Sequence, residues 1–119
     1  MTYMLLIHQG DASTPDDSGA WDNLSEEEQK QVYADYQAVN QTPGVTPGQR
    51  LQPPESATTV RVQDEKTLTT DGPFVSVKEA LGGWLFYEAD DLDAAIELAS
   101  KIPAARMGGA VEIRPIMGS

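Results

Sequence analysis

The sequence contains no cysteine. This absence excludes a disulfide framework, thiolate chemistry and zinc sites that depend on Cys ligands. We predict neither a metal ion nor another cofactor.

Basic residues are also scarce, because 8 Lys and Arg stand against 19 Asp and Glu and give a formal net charge of −11. The cations are scattered singly, whereas nucleic-acid binding depends on clustered Lys and Arg, so nucleic acid is not a predicted partner. Long apolar runs are missing as well. The first, at residues 3–7, is shorter than a signal-peptide core, and no later one approaches membrane-spanning length, so we expect no membrane association and a cytoplasmic protein.

The chain of 119 residues is long enough for one hydrophobic core, and we predict a single domain over residues 1–119. Residues 2–9 place apolar side chains on both faces of a strand, and residues 81–88 do the same. Both segments are therefore predicted to be central strands. The pair Gly82-Gly83 indicates a bulge or a close backbone approach in the second of them.

Two helices are predicted between the strands. Ser25 and Glu28 form a capping-box pattern at the start of the first helix, which ends before Pro43-Gly44. Asp90 or Asp91 is expected to cap the second, which ends before Pro103. The predicted apolar stripes are Val32, Tyr33, Tyr36 and Val39 in the first helix, and Leu92, Ala95, Ile96, Ala99 and Ile102 in the second.

The remaining segments are predicted to be loops and edge strands. Residues 10–23 are expected to form a loop that Trp21 anchors, and residues 42–56, with four prolines, an ordered flap without regular structure. Residues 58–70 alternate about a polar turn and predict an edge hairpin that leads into Asp71. The last strand covers residues 110–116, and Pro115 marks it as an edge.

The element order is βαββαβ and predicts a ferredoxin-like α+β sandwich with an extra edge hairpin. Its first and third core strands should be central, since both have two apolar faces. The helices can cover only one face of the sheet. We therefore expect a second copy of the chain to cover the other face in a homodimer.

Several sequence blocks together resemble the YCII-related (DGPF-domain) family over nearly the whole chain. These blocks are Tyr3-Met4-Leu5-Leu6-Ile7, Leu51-Gln52-Pro53-Pro54, Thr58-Thr59-Val60-Arg61-Val62, Thr70-Asp71-Gly72-Pro73-Phe74, Lys78-Glu79-Ala80-Leu81-Gly82-Gly83 and Ile102-Pro103-Ala104-Ala105-Arg106. The resemblance implies a dimeric α+β barrel in which two sheets face each other. It also implies a possible association with an extracytoplasmic-function sigma factor.

Four residues are candidates for a functional site. Asp71 is constrained by Gly72-Pro73 and is the candidate general base or ligand anchor, with backbone capping as the alternative. Arg106 is the candidate anion ligand, although a carboxylate partner is the simpler role. His8 and Tyr36 are further ligand-binding candidates, and for both a packing role is the alternative.

Two classes of function remain open. The first is a small-molecule cleft near Asp71, with or without an enzymatic reaction that the sequence does not identify. The second is a regulatory or interaction module without catalysis, acting with a sigma factor. A perturbed Asp71 that faces a cavity would favour the first class.

Overall fold

The computed structural model describes residues 1–9, 21–74 and 81–118. The predicted loop at residues 10–23 lies mostly outside these ranges. The regular elements are β1 (Thr2–His8), α1 (Glu26–Asn40), β2 (Val45–Arg50), β3 (Thr58–Gln63), β4 (Lys66–Asp71), β5 (Leu81–Glu88), α2 (Leu92–Ser100) and β6 (Ala110–Pro115). Short 3₁₀ turns occupy Pro54–Ser56 and Pro103–Ala105.

The main sheet has four antiparallel strands in the order β2-β5-β1-β6. The predicted ferredoxin-like α+β fold is therefore confirmed, and β1 and β5, the first and third core strands, lie in the centre as expected. The predicted hairpin is also present, with Asp64 and Glu65 at its turn in left-handed backbone conformations. Within the described residues, β3 and β4 form a separate two-stranded sheet and do not extend the edge of the main one.

The predicted flap over residues 42–56 is wrong in its middle part, because Val45–Arg50 forms edge strand β2. Prolines and glycines are tolerated at a sheet edge or at a bulge, where ladder hydrogen bonds are not all required. The pairing of β2 with β5 is indeed interrupted between Pro47 and Arg50. The composition of this segment therefore indicated an irregular strand, which we interpreted as a loop.

The first helix begins as predicted. The Glu28 amide donates to Ser25 Oγ at 3.1 Å, and the Ser25 amide donates to Glu28 Oε1 at 3.0 Å, so the capping box is complete. Asp91 caps α2 through a hydrogen bond from the Ala94 amide at 2.9 Å.

The predicted apolar stripe of α2 is only partly correct. Leu92 and Ile96 are each 49% exposed, whereas Leu98, which the prediction omitted, is buried. The residues that face the sheet are Ala95, Leu98, Ala99 and Ile102. These positions are spaced i, i+3, i+4 and i+7, so the error was in the rotation of the stripe and not in its period.

The two faces of the main sheet differ in their burial. Tyr3, Leu5 and Ile7 of β1 are buried in the core beneath the helices. The alternate side chains of the central strands, which include Leu6 and Trp84, are half-buried on the opposite face and lie outside this core cluster. No helix of the described residues is long and apolar enough to cross a membrane.

Candidate functional site

A cleft of about 300 Å³ lies between α1 and one end of the sheet. Its volume is at the lower end of the range for small-molecule sites, roughly 300–1,000 Å³. Among the described residues, those that line it are Ile7, Gln9, Val32, Tyr33, Tyr36, Asn40, Gly48, Gln49, Arg50, Gly82, Gly83, Trp84 and Leu85.

The floor of the cleft is a row of residues across three strands. Arg50 of β2 pairs with Gly83 of β5, and Gly83 pairs with Ile7 of β1. Directly paired residues project from the same face of a sheet, so the missing side chain at Gly83 leaves an open floor between Arg50 and Ile7. The register of β1 with β5 shifts beside Gly82, which confirms the predicted bulge.

Gln9 forms one wall of the cleft, two residues beyond Ile7. Its side chain packs directly over Gly82, where a Cβ atom would lie 2.2 Å from Gln9 Cγ. Gln9 Oε1 is buried and has no hydrogen-bond partner among the described residues. Because this oxygen is buried, it faces the protein and not the open space of the cleft.

Three aromatic residues are part of the lining of the cleft. Tyr33 and Tyr36 reach the cleft from α1, and Trp84 reaches it from β5. Trp21 packs edge-on against Tyr33, with ring centroids 5.4 Å apart and planes at 78°. This contact supports the Tyr33 ring from behind, since edge-to-face aromatic pairs are favourable at such distances.

The charge of the cleft contrasts with that of the chain. Among the described lining residues Arg50 alone carries a charge, and none is acidic, although the chain has 19 Asp and Glu. These residues also include no imidazole, carboxylate or thiol that could act as a general base. The arrangement is that of an apolar pocket with a few polar groups at its ends, which is typical of a binding site.

The structure places the predicted site residues in different regions. Tyr36 lines the cleft, whereas Asp71 lies at the exposed end of β4, outside it. The turn at Asp71 is held by the Gly72 amide, which donates to the Ala57 carbonyl at 2.7 Å, and by the Thr59 hydroxyl, which donates to the Gly72 carbonyl at 2.7 Å. Within the described ranges, the Asp71 carboxylate makes no hydrogen bond.

His8 and Arg106 also lie away from the cleft lining. His8 Nε2 is 3.2 Å from Glu112 Oε1, and its side chain projects from the sheet face opposite the helices. Arg106 forms an ion pair with Asp35 of α1, as its simpler predicted role required. Of the four site residues predicted from the sequence, Tyr36 is the one found among the described lining residues.

Sequence reasoning missed Gln9, Asn40 and Arg50. Gln9 and Asn40 have no local pattern that separates them from other polar residues. Arg50 was overlooked because strand β2 was interpreted as a loop. Gly82-Gly83 was the available signal, since two adjacent glycines in a central strand leave a gap that neighbouring side chains must border.

The fold and the cleft define a ferredoxin-like α+β domain with a pocket between helix and sheet. A family model for the YCII-related domain matches residues 1–118, so the chain belongs to the YCII-related family. No curated protein matches the chain. Within the described ranges, no group of three or more Asp, Glu or His side chains is placed to hold a metal ion.

Proposed function

We propose that this YCII-related protein binds a small molecule in the cleft between α1 and the sheet. The observation that carries the proposal is the cleft itself, about 300 Å³ in volume, in which apolar walls meet a few polar residues. Small-molecule sites combine apolar surface with a few polar groups in this way.

The site that we propose lies away from the one expected near Asp71. Asp71 and the Pro53-Pro54 pair do not line the cleft, whereas Tyr36 does. We favour binding without catalysis because the described lining residues offer tyrosines but no carboxylate, imidazole or thiol. Association with a sigma factor and a cytoplasmic location remain predictions from the sequence.

We also propose that the protein acts as a homodimer through the sheet face opposite the helices. Met4, Leu6, Trp84 and Phe86 form a continuous apolar patch there, because Met4 pairs with Phe86 and Leu6 with Trp84 across β1 and β5. Contiguous apolar patches of this kind are uncommon on monomers and mark interaction surfaces. A second copy of the same face would bury the patch by two-fold symmetry.

A metabolite thermal-shift screen on the purified protein tests the binding proposal. A ligand at 100 times its Kd stabilises the native state by about 2.7 kcal/mol, which raises the Tm measurably. The same hits are then tested on Asn40→Trp, which places a large side chain at the exposed mouth of the cleft. Ala38→Trp is the matched control, since Ala38 is exposed on the same helix and does not line the cleft.

The expected result is a shift that Asn40→Trp removes and Ala38→Trp retains. Shifts that survive unchanged in Asn40→Trp would place the ligand elsewhere, and the cleft would lose its proposed role.

A further inference from the structure

We infer that the β3–β4 hairpin is an arm that packs on a second copy of the chain through the face that carries Val60 and Val62. The arm consists of residues 58–71. The inference rests on the proposed homodimer and adds to it a contact surface outside the main sheet. It does not depend on what the cleft binds.

The arm stands apart from the main sheet. Among the described strands, β3 and β4 pair with each other and with no other strand, and every residue of the arm except Thr59 is exposed. Six residues in each strand give the arm a length of about 20 Å. A two-stranded hairpin alone is marginally stable in water, so the arm needs a further surface to pack on.

The two faces of the arm differ in composition. Val60 pairs with Thr69, and Val62 pairs with Thr67, so these four β-branched side chains share one face, the valine face. Val60 is 59% exposed and Val62 is 67% exposed. Strands that alternate between apolar and polar residues usually have one packed face and one solvated face. The valine face is therefore the face that a partner should cover.

The opposite face of the arm is polar and contacts its own chain. Arg61 and Lys66 lie on this face, and the Arg61 guanidinium is 5.5 Å from the centre of the Phe74 ring. The Thr59 hydroxyl donates to the Gly72 carbonyl from the same side. These contacts hold the base of the arm against the turn that follows β4, and the valine face points the other way.

The area that a stable dimer needs argues for a second copy as the partner. Four strands about 4.8 Å apart and about 20 Å long present a sheet face of roughly 400 Å². Stable interfaces bury about 800 Å² on each partner, so the sheet face alone is too small. In a two-fold dimer each copy gives one arm and receives another, and an arm face of roughly 200 Å² therefore counts twice. Sheet and arm together reach the required area.

The position of the arm also suits this partner. The arm follows β2 and precedes β5, which are neighbours in the main sheet, so a copy that covers the free face of the sheet also approaches the base of the arm. Each copy carries a net charge of −11, and contacts between like charges oppose association. The four residues of the valine face add no charge to the contact.

Sedimentation equilibrium of the full chain and two variants tests the arm. Val62→Glu places a carboxylate on the valine face, and the exposure of Val62 makes the change tolerable in the folded chain. Gln63→Glu adds the same charge at the next residue, which is exposed on the opposite face. Val62→Glu should raise the Kd of the dimer by at least about tenfold, because each copy then loses a buried valine at the interface. Gln63→Glu should change the Kd by no more than about twofold.

Hydrogen exchange measures whether the arm is covered. The amides of an isolated hairpin exchange almost as fast as those of an unfolded peptide, whereas docking slows them. Residues 58–71 should exchange at least about tenfold more slowly in the wild-type dimer than in Val62→Glu, with no change in α1. Thermal melts verify that the variant is folded. If it is not, Val62→Thr keeps the branched shape and should raise the Kd several-fold.

The outcomes separate the arm from the homodimer. A wild-type dimer with a Kd that Val62→Glu leaves unchanged would overturn the arm, and the sheet-to-sheet homodimer would stand. Equal weakening by Val62→Glu and Gln63→Glu would also overturn the arm, because added charge alone would then explain the loss. A monomeric wild type would overturn both proposals, and slow exchange of the arm in that monomer would show that its own chain covers the valine face.

Discussion

The Trp84 indole lies against Gly48, so closely that a methyl group on Gly48 would be 2.6 Å from Trp84 Nε1 and 2.1 Å from the Trp84 carbonyl oxygen. By the alternation of β5, Trp84 belongs to the sheet face opposite the core residue Leu85. Trp84 is nevertheless among the residues that line the cleft. The absence of a side chain at Gly48, in the irregular part of β2, is what allows the indole to pack so closely on this strand.

Gly48→Ala should therefore destabilise the protein. The added methyl group overlaps a backbone oxygen that cannot rotate away, so β2 or the indole must move. We expect a loss of about 1–3 kcal/mol in the free energy of unfolding, as for other overpacked sites, measured by urea denaturation. Gln49→Ala, the next residue of the same strand, is the control and should change stability by less than about 0.5 kcal/mol.

The capping box at the start of α1 predicts a pH-dependent contribution to stability. Hydrogen bonds from the Ser25 amide, and then from its side chain, hold the pKa of Glu28 below its usual value of 4.5. A lowered pKa in the folded state means that the carboxylate stabilises the protein above pH 4.5, and that this contribution is lost as the pH falls through the lowered pKa. The wild type should therefore be more stable than Glu28→Gln at pH 7.

Urea denaturation of both proteins at pH 7 and at pH 3 measures this difference. The wild-type advantage should shrink at the lower pH, while charges elsewhere affect both proteins equally. An advantage that is independent of pH would show that the side chain contributes through packing or propensity alone.

The sequence predicted the regular parts of the fold because they carry local signals. Ser25 with Glu28 defines a helix start by hydrogen-bond chemistry within four residues, and the two-sided apolarity of β1 is visible without knowledge of its partners. Strand β2 is different, because Pro47 and Gly48 are acceptable only where a bulge and a sheet edge coincide. That coincidence depends on β5, which is more than thirty residues away.

The candidate site was harder to predict because it too depends on residues that are distant in the sequence. Gln9 follows β1, Arg50 ends β2 and Tyr36 lies on α1, and the pairing of β1 and β2 on either side of β5 brings them together. Asp71 drew attention because its local sequence is distinctive. Distinctive local sequence indicated a constrained turn, and in the structure that turn is held by backbone groups and Thr59.

The local sequence points to Asp71 as the residue that holds the turn. The structure instead predicts that Thr59 contributes more to the free energy of unfolding. Asp71→Ala should change the free energy of unfolding by less than about 0.5 kcal/mol, the usual range for an exposed surface position. Thr59→Val should cost about 0.5–1.5 kcal/mol, since it removes the hydrogen bond from its hydroxyl to the Gly72 carbonyl. Chemical denaturation of both variants makes the comparison, and a larger loss for Asp71→Ala would restore the carboxylate as the group that holds the turn.

Arg106 should behave as half of an exposed ion pair. It contacts Asp35 with both side chains partly in solvent, and such pairs contribute about 0.2–1 kcal/mol. Arg106→Gln should therefore lower the free energy of unfolding by no more than about 1 kcal/mol, and by less at 1 M salt, where the screening length falls to about 3 Å. A loss that does not change with salt would contradict an electrostatic role for the pair.

Leu6 tests the proposed homodimer. It is half-buried at the centre of the apolar patch, between Trp84 on β5 and Glu112 on β6, and its side chain lies outside the core beneath the helices. Leu6→Glu places a second carboxylate beside Glu112 and would bring like charges from both copies together in a two-fold interface. Sedimentation equilibrium should show a dimer for the wild type and a monomer for Leu6→Glu.

The matched control for this prediction is Ile96→Glu, which adds the same charge to an exposed apolar residue on α2. It should remain dimeric, because α2 lies on the other side of the sheet from the patch. The melting transition of Leu6→Glu should depend less on protein concentration than that of the wild type, since the Tm of a dimer rises with concentration. A wild-type chain that sediments as a monomer at high micromolar concentration, with a cooperative melt, would contradict the homodimer. It would show that the folded chain is stable with the patch exposed to water, and the cleft would then belong to a single copy.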